Sequence, residues 1–368
     1  MKQLAAHGPL HGVRVVEMAG LGPVSFTGML LADMGAQVVR IARPRHADME
    51  KGATLRSRTQ ITLDLHLPDE QQQALTLLEH ADVLLEGFRP GVMERLGLGP
   101  DTLLARNPRL VYGRMTGWGQ HGPRASTAGH DIDYIAITGA LHAIGTQDPA
   151  VPLNLVGDYG GGALYLAMGV LAAVLHVRSG GAGQVVDCAI CDGTVSLLSL
   201  MHGLRHAGLW RDARQSNTLD GAAPFYRTYR CSDGQHIAVG AIEPPFYRQL
   251  LERLGLSGSL FADQHDRAGW AEQARTLQAV FAQRTRNEWT ELFTGTDGCV
   301  APVNSLQESL YDPHLQSRTA FIEVAGEMQP APVPRFAATP SRASPGHTSD
   351  ARQVLHAWTI EPTLHRSR

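Results

Sequence analysis

The chain has 368 residues, 43% of them hydrophobic and 18% charged, with a formal net charge of −3. That balance describes a folded protein of about two domains and excludes an intrinsically disordered chain. The slight negative charge excludes a general nucleic-acid binder, whose phosphate contacts need a basic surface.

Four cysteines (Cys188, Cys191, Cys231 and Cys299) are too few for a disulfide framework and fit a reducing, cytoplasmic setting. Met1-Lys2-Gln3-Leu4 leads into polar residues, so no signal peptide is expected. The most apolar stretch, 163–175, is shorter than the roughly 20 residues of a membrane span and is preceded by Gly160, Gly161 and Gly162, which reads as a buried helix. No membrane partner is expected. Lysine occurs only at Lys2 and Lys51, neither in a phosphate-loop pattern, so Walker-type and Schiff-base chemistry lack their central residue. Gly-x-Ser-x-Gly and His-Glu-x-x-His are also missing. What remains is chemistry with carboxylates and histidines on a substrate held by arginines and backbone.

In chain order, a valine-rich strand at 13–18 runs into Gly20-Leu21-Gly22-Pro23 and an apolar helix at 25–34 closed by Gly35. Further strands are expected at 38–41, 61–65, 83–87, 110–116 and 184–189, with helices at 69–80, 100–106 and 160–178. This alternation predicts an α/β chain: a large Rossmann-like domain with a mostly parallel sheet over residues 1–215. Strands at 226–231 and 236–240 flank the turn Ser232-Asp233-Gly234-Gln235, and helical patterns follow at 244–254, 270–283 and 286–294. They predict a smaller α+β domain over 216–320. Residues 321–368 are read as a segment returning to the large domain, packed on its surface or loose.

Gly20-x-Gly22 begins a dinucleotide fingerprint without its third glycine, and a plain tight turn is an equal reading. The second strand ends in Arg40, Arg43 and Arg45 where an NAD site wants an acid; guanidinium groups there suit a ribose phosphate, as in CoA or NADP. Arg56 and Arg58 form a second group and Arg89 and Arg95 a third, which fits the three phosphate groups of CoA unless carboxylates absorb some of them. Gly129-His130-Asp131-Ile132-Asp133-Tyr134 follows a glycine-rich loop, and charged neighbours can tune an imidazole near neutral pH, although a solvated loop histidine has the same pattern. Asp158, in Gly157-Asp158-Tyr159-Gly160-Gly161-Gly162, opens an apolar helix and taken alone reads as a helix cap.

Together, segments 13–44, 86–97, 116–122, 129–134, 153–162, 183–193 and 240–244 resemble the α-methylacyl-CoA racemase family of the class III CoA-transferase (CaiB-BaiF) superfamily. The resemblance implies racemisation of (R)- and (S)-2-methylacyl-CoA thioesters by 1,1-proton transfer through an enolate. His130 would serve the S substrate, Asp158 the R substrate, and Glu243, in Gly240-Ala241-Ile242-Glu243-Pro244, would support His130. It implies a CoA groove lined by Arg40, by Gln60, Ile61, Thr62 and Leu63, and by Gly87, Phe88, Arg89 and Arg95. Gly129, Asp131, Ile132, Asp133 and Tyr134 would complete the cleft. No separate cofactor or metal is implied, since CoA is part of the substrate, and an interlocked homodimer is expected. Ala42 stands where the family often has an acid, and Cys188 and Cys191 replace two apolar residues. Both cysteines read as buried small hydrophobes, since no second pair stands at zinc spacing.

Three alternatives remain open at this level. A CoA-transferase on the same fold would use Asp158 as a nucleophile toward a thioester. A non-catalytic acyl-CoA-binding scaffold would need the arginines alone. An NADP-dependent reductase would need a Tyr-x-x-x-Lys pair that the chain lacks.

Overall fold

The computed structural model describes residues 7–20, 22–44 and 52–360. The chain divides into two compact units. One runs to Thr138, takes in Leu153–Leu197 and resumes at Gln316; the other is Gly139–Pro152 with Leu198–Leu315.

The first unit lays down β1 (Arg14–Met18), α1 (Pro23–Asp33), β2 (Gln37–Ala42), β3 (Thr59–Thr62), α2 (Pro68–Glu79) and β4 (Val83–Glu86). The short helices α3 (Val92–Arg95) and α4 (Pro100–Arg106), then β5 (Val111–Thr116) and α5 (Asp131–Ala136), follow. After α6 (Ala140–Ala143), in the second unit, a π-helical segment (Leu155–Ala163) runs directly into α7 (Leu164–Arg178). Next come β6 (Gln184–Ala189) and α8 (Ile190–Leu197). The second unit continues with α9 (Ser199–His206), β7 (Tyr226–Arg230), β8 (His236–Gly240), α10 (Pro244–Leu254), α11 (Trp270–Phe281) and α12 (Arg286–Phe293). It ends with β9 (Val300–Pro302), α13 (Leu306–Ser309) and α14 (Pro313–Ser317). The first unit is completed by β10 (Phe321–Val324), β11 (Glu327–Pro330), β12 (His347–Thr348) and α15 (Ala351–Ile360).

The seven-stranded sheet has the order β12-β3-β2-β1-β4-β5-β6, and its ladders are parallel. This is the doubly wound arrangement that alternating strands and helices demand, with one further strand at the edge. Strand periodicity explains the two cores. Val15, Val38, Val83 and Val111 point into one apolar layer under α1 and α7, while Val16, Val39, Leu84 and Tyr112 point into the other. In the second unit β7, β8 and β9 form an antiparallel sheet, and Phe225, Tyr229, Phe281 and Trp289 fill its core.

Several expectations change. The apolar helix does not stop at Gly160-Gly161-Gly162; it begins at Leu155 and carries the glycines within its π-helical part. Residues 131–136 and 190–197 are helices where the sequence reading had loop or nothing. The described part of the C-terminal segment is tied to the sheet: β12 pairs beside β3, and Val354 and Trp358 of α15 are buried in the same core as Val16. The helix Leu155–Arg178 has 24 residues and is, among the described residues, the one long and apolar enough to cross a membrane by length and composition. Half of its most apolar window is buried within the protein, as for a core helix lying on β5 and β6.

Buried ion pairs tie the sheet's end to α1 and to the C-terminal segment. Arg58 Nη1 lies 2.6 Å from Glu17 Oε2, Arg40 Nε lies 3.3 Å from Glu17 Oε1, and Arg56 Nη2 lies 2.6 Å from Asp33 Oδ2. Arg56 Nη1 also donates to the Pro330 carbonyl. A buried guanidinium whose carboxylate is removed keeps its desolvation penalty and loses the compensating attraction. Glu17→Ala is therefore expected to destabilise the protein by about 3–5 kcal/mol, read as a fall in the urea midpoint at unchanged m-value.

Candidate active site

In this sheet the strand order reverses between β1 and β4, so their C-terminal ends open a crevice of the kind in which doubly wound folds bind ligands. β1 delivers Gly20 and Gly22 there and β4 delivers Gly87. Gly22, at φ +80°, has a purpose that a dinucleotide fingerprint would not suggest: a Cβ on it would stand 3.3 Å from Asp158 Oδ2. The turn is open so that a carboxylate fits against it.

Asp158 reaches this place on the π-helical segment, not as an N-cap; Asn154 holds the cap position. The wide i→i−5 winding shows in the Tyr159 N–H, which donates to the Asn154 carbonyl at 3.1 Å. Packing explains the winding. A Cβ on Gly193 of α8 would collide with the Gly161 carbonyl, so the two backbones touch through glycine. From the other side Thr27 Oγ1 of α1 donates to the Ala163 carbonyl at 3.0 Å.

The half-buried Asp158 carboxyl is pushed up to about 6, chiefly by burial and then by the like charge of Asp131, against a hydrogen bond from Asn154 and the charge of His130. His130 is exposed and caps α5 in extended conformation. Its backbone N–H donates to Asp133 Oδ2 at 3.0 Å, so Asp133 holds the histidine's backbone. Tyr134 donates its hydroxyl to the Gly129 carbonyl and meets Trp118 edge-on, with ring centroids 4.8 Å apart. Asp131 Oδ1 accepts the Asp158 N–H at 2.7 Å. Ile132 is an exposed apolar side chain beside them.

The arginines divide differently from the sequence expectation. Arg56 and Arg58 are bound up in buried ion pairs with Asp33 and Glu17, so their group supplies scaffold and not a phosphate site. Arg45 lies outside the described residues. Arg40 is 3% exposed at the end of β2, where Glu17 and Gln60 position it; Gln60 Oε1 accepts from its Nη1 at 2.7 Å. Ile61 and Leu63 point into the core, so only their backbone and the exposed Thr62 face outward. Arg43, Arg89 and Arg95 are exposed and carry no ion pair among the described residues; Arg43 lies over the Phe88 ring at 5.4 Å. Glu243 belongs to the second unit, where it is exposed at the N-cap of α10.

The sequence reading missed the network beneath the Gly87-Phe88-Arg89 turn. Buried Glu86 accepts the Phe88 N–H at 2.8 Å and pairs with Arg114 at 2.9 Å, and Arg114 also pairs with Glu94 at 2.9 Å. Burial pushes Glu86 up to about 7. Glu86 and Glu94 were visible as acids in the motif, but Arg114 on the next strand is brought to them only by sheet register. Cys188 and Cys191 have thiols pushed up to about 12 and about 11 by burial, which leaves them neutral. No cluster of His, Cys, Asp or Glu suited to a metal occurs among the described residues.

A carboxyl with a raised folded pKa keeps a proton that the unfolded chain has released between its ordinary value and about pH 6. Its contribution to stability therefore worsens as pH rises through that window, and the full penalty stands above it. Asp158→Asn should stabilise the protein at pH 7–8 by about 1–2 kcal/mol, allowing for partial exposure. The gain should vanish below about pH 4, as measured by thermal unfolding across pH.

Residues 10–351 match the model of CoA-transferase family III. Over 339 residues the chain is 44% identical to the α-methylacyl-CoA racemase of Mus musculus, covering 90% of this chain and 87% of that protein. The α-methylacyl-CoA racemase of Homo sapiens is 42% identical over 337 residues with the same coverage. The crystal structure of Rv3272 from M. tuberculosis superposes with a TM-score of 0.76 at 28% identity, covering 93% of this chain and 97% of that one. With its crevice, its Gly-His-Asp and Gly-Asp-Tyr-Gly-Gly-Gly segments and this matched length, the chain belongs to CoA-transferase family III.

Proposed function

We propose that the protein is an acyl-CoA racemase that interconverts the epimers of 2-methylacyl-CoA thioesters. One observation carries the reading: a half-buried carboxylate, held near neutral pH, lies within electrostatic reach of an imidazole where the sheet order reverses. Proton abstraction beside a thioester needs groups that both accept and return a proton near the working pH. On this reading His130 takes the C2 proton of the S thioester as the C–H pair moves into the C1–C2 bond and charge passes to the thioester oxygen. Protonated Asp158 then delivers its proton to the opposite face of C2, and the R thioester reacts in reverse. Glu243 is assigned its supporting role by the family motif alone. For the CoA moiety, the exposed Arg43, Arg89 and Arg95 are the side chains suited to phosphates, with Arg40 fixed behind them at the strand end.

The test is incubation of 2-methylacyl-CoA thioesters of varied acyl chain in deuterated water. Deuterium at C2 with epimer interconversion, and no acceptor acid, supports the reading; CoA transfer to a free acid without exchange overturns it in favour of transferase chemistry. His130→Ala and Asp158→Ala should each lower racemisation by at least about 10²-fold while leaving CoA binding within about twofold.

We also propose a homodimer. Leu164, Met168 and Leu175 form an exposed stripe along α7, and Val185 is exposed on the edge strand β6. An apolar stripe beside an unpaired strand edge favours burial against another chain. Met168→Glu should shift sedimentation from dimer to monomer; a wild-type monomer at micromolar concentration would refute the proposal.

A further inference from the structure

The sequence placed Asp131 in the CoA cleft, but its surroundings fit another task. Its Oδ1 accepts the Asp158 backbone N–H at 2.7 Å, and a Cβ on Gly157 would collide with that same oxygen. Gly157 is therefore the residue type that lets the two segments close on each other. The second oxygen, Oδ2, is buried and has no hydrogen-bond partner among the described residues. An unsatisfied carboxylate oxygen is costly and calls for a reason.

We propose that Asp131 is a positioning residue for Asp158, fixing its backbone through Oδ1 and facing its carboxyl with the charge left unquenched on Oδ2. The inference rests on the reading of Asp158 as one of the two acid/base groups. Asp131 is the like charge that raises Asp158, whereas His130 opposes it and Asn154 donates a hydrogen bond. The other groups around the π-helical segment are Tyr134 on α5 and Cys191 and Asp192 on α8; α1 faces it with Gly22, Pro23 and Thr27. The Tyr134 hydroxyl is raised by burial and then by Asp158, and the Cys191 thiol lies at about 11, so both stay neutral where Asp158 titrates. A carboxylate poised in this way can return a proton as well as remove one, which a freely solvated aspartate does poorly at neutral pH.

Asp131→Asn keeps the shape and the Oδ1 acceptor but removes the charge, and Asp131→Ala removes both. For Asp131→Asn, with the R thioester as substrate so that Asp158 is the base, the acid limb of the kcat/KM profile should move down by about one pH unit, with kcat reduced about tenfold and KM within about twofold. Asp131→Ala should lower kcat further. A raised KM with unchanged kcat and an unmoved acid limb would make Asp131 a substrate contact and overturn the proposal. A second measurement does not depend on turnover: the pH dependence of the stability difference between wild type and Asp158→Asn, repeated in the Asp131→Asn background. That dependence should shrink when the charge at 131 is gone. If it is unchanged, the coupling is refuted even in an active racemase; if it shrinks while no thioester is racemised, the functional reading fails and the coupling stands.

Discussion

The contact on which the site depends is a backbone one: Gly161 of the π-helical segment pressed against Gly193 of α8. At this separation no side chain fits at residue 193, so α8 can approach the widened turn and hold it. The widening matters because an α-helix would advance each residue by 100° and carry Asp158 away from the β1 turn. In the observed winding the carboxylate meets Gly22, its N–H meets Asp131, and Thr27 of α1 closes the far end of the segment. Three glycines and one threonine thus supply the space and the tether around a single carboxylate.

Charge organises the neighbouring crevice in two layers. Inside, Arg58 is neutralised by Glu17, and Glu86 with Glu94 neutralises Arg114. Outside, Arg43, Arg89 and Arg95 face solvent without such partners among the described residues. The inner layer fixes the strand ends and the Phe88 backbone, and so gives the outer layer a rigid base. This division has a physical logic. Buried pairs are too desolvated to exchange partners, whereas exposed guanidinium groups can shed water for a phosphate at little loss.

Much of the fold was legible because the central strands are buried on both faces and read as apolar runs, as at Val83-Leu84-Leu85. The helix starting at Pro244 was equally plain, since its proline, amphipathic spacing and terminal Gly255 all agree. Less legible were α5, which is short and opens with two aspartates, and α8, which carries Gly193 and polar residues at its centre. The C-terminal helix was hidden as well: Val354 and Trp358 look sparse in a polar tail until the sheet offers them a core. Among the candidate site residues, His130, Asp158 and Glu243 were named by motif, whereas the hydrogen bond from the Asp158 N–H to the Asp131 carboxylate was not legible, because sequence spacing does not show which distant segments meet.

By itself, then, the sequence indicated the chemistry available to this protein: carboxylates and imidazole in place of lysine, arginines at strand ends, and an alternating pattern that gives a mostly parallel sheet. Those features are local, because they depend on residue type and short-range periodicity. Tertiary structure alone decided which arginines are consumed by carboxylates, that the glycine run winds as a π-helix, and that burial pushes the Asp158 carboxyl up to about 6. Each of these depends on the distance between groups far apart in the chain, and distance sets both desolvation and Coulomb energy.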